Sequence, residues 1–378
     1  MAFFKRRKQW PPKLGVTIGK FKPLHRGHEL MITMAAAEMD ELTVIVSDSK
    51  DGDYAGDIYI PLAFRYKMVK QAFQHLDNVR VMMHTETHGD AEHYDRYGTA
   101  LDESFWDYWV DVFDILAPEA NYFVSSDRYG QVAASRIGAK DKTRDMFWFP
   151  VDPDRELVPV SGTDIRNDPI TNWRYIHPMF RQSFGKRVTI IGPESTGKTT
   201  LARDVARSMN SPYVPEYGRT LSEAVGNNMT ADHFHDIIKR HHEMELFAIS
   251  NSETGLTVSD TDSVTTYLFS KIYLGKPIED LRKYTQGWYD LVILLPPDLP
   301  WIDDGTRVIS NLKTRIEFFK DLKRMYNRHP NLLVLEETDH KRRVEIVCDH
   351  ISRMMRPVNK SSEEAFERLT SQDTSLII

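Results

Sequence analysis

GPESTGKT, residues 192–199, follows the apolar residues 188–191 and decides how the second half of the chain is read. It fits G-x-x-x-x-G-K-[ST] in the order strand, glycine loop, helix. The backbone N–H groups of such a loop wrap a di- or triphosphate, its Lys reaches the outer phosphates, and its hydroxyl helps hold Mg²⁺. The ATP-binding residues predicted here are Gly192, Glu194, Ser195, Thr196, Gly197, Lys198, Thr199 and Thr200. Lys198 is the catalytic cation and Thr199 a metal ligand. ATP is the expected co-substrate and Mg²⁺ the expected cofactor.

A phosphate-loop fold begins at the strand before its loop. The loop opens near the middle of 378 residues, so the preceding half should be a separate domain. With 41% hydrophobic and 28% charged residues the composition is that of a globular protein, and a net charge of −6 supplies no general attraction to nucleic acid. No apolar run reaches the roughly 18 residues of a membrane helix. The basic start MAFFKRRKQWPPK lacks the apolar core of a secretory signal. Its cluster at residues 5–8 reads as a solvated end. The single Cys348 excludes an internal disulfide, suits the cytoplasm (the host's, for a viral source), and reads as a small hydrophobe on a helix. Residues 357–378 are polar before a final Leu-Ile-Ile, and read as a tail or as a strap onto a neighbour.

In the first half, residues 16–19 form a predicted strand that runs through Lys20 into His25-Arg26-Gly27-His28. Residues 30–37 are strong helix formers and residues 42–46 a second buried strand. This order implies a parallel, doubly wound sheet. Gly27 lets the backbone approach a ligand, and both imidazoles can face an anion at the helix N-terminus, with Lys20 adding charge. Further on, Ser161-Gly162-Thr163-Asp164-Ile165-Arg166 has the form of a capped helix start.

GKFKPLHRGH resembles the H-x-G-H signature of the nucleotidyltransferase superfamily, and SGTDIR resembles its S-x-T-x-x-R element. The resemblance implies attack on the α-phosphate of ATP with release of pyrophosphate. It implies ATP contacts at Gly19, Phe21, Gly27, Ser161, Thr163 and Arg166. His25, His28, Lys20 and Arg166 would act by alignment and positive charge rather than as nucleophiles.

From residue 13 to residue 355, the order of short motifs resembles the NadR-type bifunctional family. Those proteins join nicotinamide mononucleotide adenylyltransferase to ribosylnicotinamide kinase. The motifs include FWDYW (105–109), YFVSSD (122–127), VDPDR (151–155), EYGR (216–219), SDTD (259–262) and PWIDDGTR (300–307). The expected architecture is two doubly wound α/β domains. A Rossmann-like transferase domain (13–172) follows a basic extension (1–12), and a linker (173–185) leads to a P-loop kinase domain (186–356) and the tail. The implied small-molecule partners are ATP, ribosylnicotinamide, nicotinamide mononucleotide and NAD, with a homo-oligomer suggested. The bacterial regulator carries an N-terminal helix-turn-helix domain. About a dozen residues precede the first strand here, so direct DNA binding is not expected. Two segments depart from the pattern. Residues 47–57 are loose, and residues 84–98 hold His84, His88 and His93 at a spacing that fits no zinc site.

For the kinase half, residues 257–259 read as a strand delivering Asp260 and Asp262 to the ligand-binding end of the sheet. Asp260 is read as metal ligand or proton acceptor, and Asp262 as substrate-facing or as the cap of helix Ser263–Leu274. Glu216, Tyr217 and Arg219 are expected at the substrate. Trp301 would stack on a pyridinium ring, and Arg307 would close on the phosphates from a lid. Trp106 (or Trp109) would stack the other nicotinamide ring or pack in the core, and Asp127 would face that substrate. Two rival readings are a transferase–kinase pair for other small molecules and a non-catalytic NAD sensor.

Overall fold

The computed structural model describes residues 11–49, 59–88, 102–140, 145–226, 228–284, 289–302 and 309–356. Arg307, His93 and most of the loose segment lie outside them, as do the basic cluster, the tail and most of the lid. The chain divides between Phe180 and Arg181 into two compact units.

The first unit runs β1 (Leu14–Gly19), α1 (Arg26–Glu38), β2 (Glu41–Ser49), α2 (Leu62–Ala72), β3 (Val79–Glu86), α3 (Glu103–Leu116), β4 (Tyr122–Ser125), α4 (Tyr129–Lys140), β5 (Phe147–Pro150) and α5 (Gly162–Asn167). All of its strand pairs are parallel, in the order β3-β2-β1-β4-β5. Leu42, Val44, Ile45 and Val46 of β2 are all fully buried, the near-continuous apolar run of a sheet covered on both faces. The chain leaves β1 toward β2 on one side and returns to β4 on the other. The crevice beyond the ends of β1 and β4 is therefore where such a sheet takes its ligand. Residues 173–180 are folded rather than extended. Trp173 is buried in a 3₁₀ turn, Ile176 bridges to His25, and Pro178–Arg181 forms the single helical turn α6.

The second unit runs β6 (Lys186–Ile191), α7 (Lys198–Ser208), β7 (Tyr213–Val214), α8 (Tyr217–Val225), α9 (Ala231–Asn251), β8 (Leu256–Asp260), α10 (Ser263–Leu274), β9 (Leu291–Leu294), α11 (Leu312–Met325), β10 (Leu332–Val334) and α12 (His340–Met354). Its parallel sheet has the order β10-β9-β6-β8-β7, with β6 central. Side chains alternate between two cores. Val188, Ile190 and Ile293 pack with Leu201 and Val205 of α7 and Val347 of α12. Ile191, Val292 and Leu294 pack on the other face with Val264 of α10 and Phe318 of α11. Cys348 is a half-buried free thiol at the edge of the first of these cores. Among the described residues, no helix is long and apolar enough to cross a membrane.

Candidate active sites

His25 is the N-cap of α1 and accepts a hydrogen bond at Nδ1 from the Gly27 N–H, 3.2 Å away. A neutral His25 therefore carries its proton on Nε2, directed away from its own helix. A Cβ on Gly27 would sit 3.1 Å from the His25 ring, so the glycine is needed for close approach rather than for its dihedral angles. The His25 and His28 rings stack with centroids 3.8 Å apart, and Phe21 tilts onto His28 at 4.7 Å. His28 Nδ1 is buried without a hydrogen-bond partner among the described residues.

Burial, reinforced by Arg155 and Arg166 against Asp164, holds His25 down to about 4. His28 is also held well below the usual imidazole range by burial, His25 and Arg155. This corrects the expectation that both histidines supply positive charge. In the ligand-free protein they are neutral hydrogen-bonding groups, and the cations that act on them are Arg155 and, at His25, Arg166.

α5 completes this crevice. Ser161 caps it in a capping box with Asp164. The helix begins at Gly162, where a Cβ would lie 4.0 Å from His25 Nε2 and 3.2 Å from Arg166 Nη1. Arg166 donates to the Lys22 carbonyl at 2.7 Å and to Thr163 Oγ1 at 3.1 Å, which fixes its guanidinium beside the histidines.

Two residues that sequence reasoning passed over belong to this region. Arg155, at φ 55°, pairs with Asp127 at 3.0 Å and acts electrostatically on both histidines. Asp127, expected at the substrate, thus holds an arginine. Arg65 is fully buried and donates to the carbonyls of Ile60, Lys20 and Ser47 and to Asp48. It ties the loop after β1, which carries Lys20, to the end of β2. A Cβ on Gly19 would lie 3.3 Å from the Phe21 ring. Trp106 sits in the hydrophobic core among Val16, Ile45 and Phe113. Core packing, the second of its two expected roles, is therefore the one observed, and the stacking role is corrected. His84 meets the Tyr108 hydroxyl at 2.6 Å.

In the second unit the phosphate loop joins β6 to α7. A Cβ on Gly192 would lie 2.6 Å from the Leu295 carbonyl, so only glycine fits there. Gly197 caps α7 in the left-handed conformation, φ 85°. Lys198 Nζ and Thr196 Oγ1 both donate to the Pro193 carbonyl, at 3.0 and 2.9 Å. Glu194 accepts from the Ile309 N–H at 2.9 Å and from Trp301 Nε1 at 3.5 Å, while Ser195 Oγ accepts from the Ile302 N–H at 3.1 Å. The two flanks of the lid are thereby tied to the loop.

A cavity of about 280 Å³ opens beside the loop. Its polar lining comes from Glu194 to Thr200 with Glu216 and Arg219. Its apolar lining comes from Tyr217, Met229, Phe234, Ile237, Phe269 and Tyr273. Arg219 also pairs with Glu223 at 3.3 Å. Burial, then repulsion from Asp260, pushes the Glu216 carboxyl up to about 7 against the pull of Lys198 and Arg219. Trp301 is not among the lining residues; it binds Glu194 instead. The aromatic wall comes from α8, α9 and α10, whose helical periodicity reads as core in the sequence alone.

Asp260 ends β8. Its Oδ2 accepts from Thr199 Oγ1 at 2.6 Å and from the Tyr213 hydroxyl at 3.3 Å, while Oδ1 is buried without a partner among the described residues. A loop hydroxyl beside a carboxylate with a spare oxygen suits a hard divalent cation that completes its shell with phosphates and water. Among the described residues, no group of three or more His, Cys, Asp or Glu side chains could enclose a metal without that help. Asp262 is different. Its Oδ1 accepts from the Thr265 N–H at 2.8 Å and its Oδ2 from the Tyr326 hydroxyl, and burial raises its pKa. It caps α10 from inside the core, which corrects its assignment to the substrate.

Residues 16–168 match the cytidylyltransferase-like family, and residues 187–343 match the AAA domain family. The trifunctional NAD biosynthesis/regulator protein NadR of Escherichia coli (strain K12) is 28% identical over 359 residues, 90% of this chain and 83% of that protein. Its namesake from Salmonella typhimurium is 29% identical over 321 residues, 81% and 74% of the two chains. A crystal structure of NadR protein in complex with NR aligns with a TM-score of 0.74 at 25% identity, covering 93% of this chain and 99% of that one. Another, in complex with NAD and AMP-PNP, gives a TM-score of 0.71 at 24% identity and 93% and 98% coverage, and shows the shared fold.

Proposed function

We propose that this chain, a homologue of the NadR proteins along most of its length, makes NAD in two steps. Its second domain phosphorylates ribosylnicotinamide with ATP to nicotinamide mononucleotide. Its first domain adenylylates that product with a second ATP, releasing pyrophosphate. The observation that carries this reading is the match of both domains, in order and over 90% of the chain, to an NAD biosynthesis protein.

In the kinase step the loop N–H groups and Lys198 hold the β- and γ-phosphates. Thr199 and Asp260 would hold Mg²⁺, which when bound would neutralise charge on the phosphate oxygens. The ribose 5′-hydroxyl oxygen bonds to the γ-phosphorus, the bond to ADP breaks, and Glu216 takes the hydroxyl proton. Its raised pKa suits that role. Tyr217, Phe234, Phe269 and Tyr273 line the cavity, and the pyridinium would bind among them by cation–π attraction.

In the transferase step a phosphate oxygen of the mononucleotide bonds to the α-phosphorus of ATP and pyrophosphate leaves. The nucleophile is already an anion, so no base is required. His25 donates from Nε2 and His28 from its ring, while Lys20, Arg155 and Arg166 balance the charge of the triphosphate.

The test is to run each half-reaction on variants. Lys198→Ala should lose mononucleotide formation from ribosylnicotinamide yet still convert supplied mononucleotide to NAD. His28→Ala should do the reverse. Wild-type protein that turns over neither substrate while binding ATP would overturn the proposal in favour of a sensor.

A further inference from the structure

Among the residues lining the kinase cavity is a buried polar side chain that the two-step reading leaves unused. α9 turns Phe234, Ile237, Ile238, His241 and Glu245 inward along one stripe, and Phe234, Ile237 and His241 line the cavity. His241 is 6% exposed, and among the described residues its Nε2 has no hydrogen-bond partner. A buried polar atom without a partner destabilises the fold unless something outside the protein completes it.

The other ring nitrogen faces a fixed negative charge. His241 Nδ1 lies 3.9 Å from Glu245 Oε1. That oxygen is pinned by the Ser259 and Tyr289 hydroxyls, each donating at 2.7 Å. A carboxylate on that side draws the imidazole proton to Nδ1. Nε2 is then a lone-pair acceptor on a side chain that lines the same cavity as Phe234, Phe269 and Tyr273.

We propose that His241 is the specificity residue of the kinase cavity, accepting an N–H from a carboxamide on the substrate's aromatic ring and rejecting the corresponding carboxylate. This rests on the kinase reading above. An acid analogue would set acceptor against acceptor and place its charge near the buried carboxylates of Glu245 and Asp262. A site built to pair one polar group discriminates strongly against an analogue that cannot supply it.

The experiment compares kcat/KM for ribosylnicotinamide and for ribosylnicotinic acid in wild type, His241→Ala and His241→Gln. Wild type should prefer the amide by roughly 100-fold or more. His241→Ala should lose about 10- to 100-fold on the amide, mainly in KM, with the ATP KM unchanged, and its preference should shrink toward parity. His241→Gln, which restores an acceptor, should recover part of the preference. Transferase activity and thermal unfolding of the same preparations report folding, and His241→Gln carries the comparison if the alanine variant unfolds. An unchanged amide-to-acid ratio in the variants would overturn the role of His241. Failure of wild-type protein to phosphorylate either nucleoside would instead overturn the kinase reading on which it rests.

Discussion

Replacing Glu216 with Gln should make the kinase domain more stable and less active at once, and the structure sets the size of the first effect. The Glu216 carboxyl is raised from the ordinary 4.5 to about 7, by burial first and by Asp260 next. A displacement of that size corresponds to roughly 3 kcal/mol between the two protonation states. The folded pKa lies above the unfolded one, so stability is intact below about 4.5, declines as pH rises toward about 7, and stays reduced above it. Gln carries no charge at any pH. The variant should therefore match wild type near pH 4.5 and exceed it by up to about 3 kcal/mol at pH 8. At roughly 2–4 °C per kcal/mol for a domain of this length, Tm should rise by about 6–12 °C. Phosphorylation of ribosylnicotinamide should meanwhile fall by about 10²–10⁴, the usual worth of a general base. The assay is thermal unfolding at pH 5 and pH 8 without nucleotide or divalent cation, paired with initial rates. A Tm gain that does not grow with pH, or a variant with undiminished phosphorylation, would refute the reasoning.

Other perturbations follow from the same geometry. Gly192→Ala places a methyl 2.6 Å from the Leu295 carbonyl. It should cost the kinase domain about 1–3 kcal/mol in urea unfolding and suppress phosphorylation, with transferase rates intact. Arg155→Ala removes a charge that holds both histidines down. It should raise the His25 midpoint seen by NMR titration and weaken ATP in the transferase step by about tenfold. His25 is neutral above about 4, and a triphosphate beside it favours its charged form. ATP binding to a Lys198→Ala protein at pH 6 should therefore take up protons, seen as a calorimetric heat that varies with buffer. A buffer-independent heat would count against the crevice at His25.

Some of this site is legible in the sequence because its signals are local. The phosphate loop announces itself through spacing, and the cap at Asp262 and the bounds of helix Ser263–Leu274 follow from neighbours in the chain. Arg155 could not be found that way. Its position depends on a backbone at φ 55° and on a partner at Asp127, 28 residues earlier. Arg65 reads as an ordinary helical charge until the ends of β1 and β2 converge on it. The aromatic wall of the kinase cavity has the periodicity of a core face, because a cavity wall and a core face obey the same spacing. For the same reason Trp106 could be read either way, and only packing against Val16 and Phe113 separates the two. Nor does composition reveal that burial strips the histidine pair of its charge.

The most direct test of two successive ATP-dependent steps is a double-label experiment with ribosylnicotinamide. In parallel reactions, ATP labelled at the γ-phosphorus should place its label on the nicotinamide-side phosphate of NAD. ATP labelled at the α-phosphorus should place its label on the adenosine-side phosphate. Recovery of both labels in NAD, each at its own position, is the predicted result. NAD lacking the γ-derived label, or a labelled mononucleotide that never becomes NAD, would contradict the account.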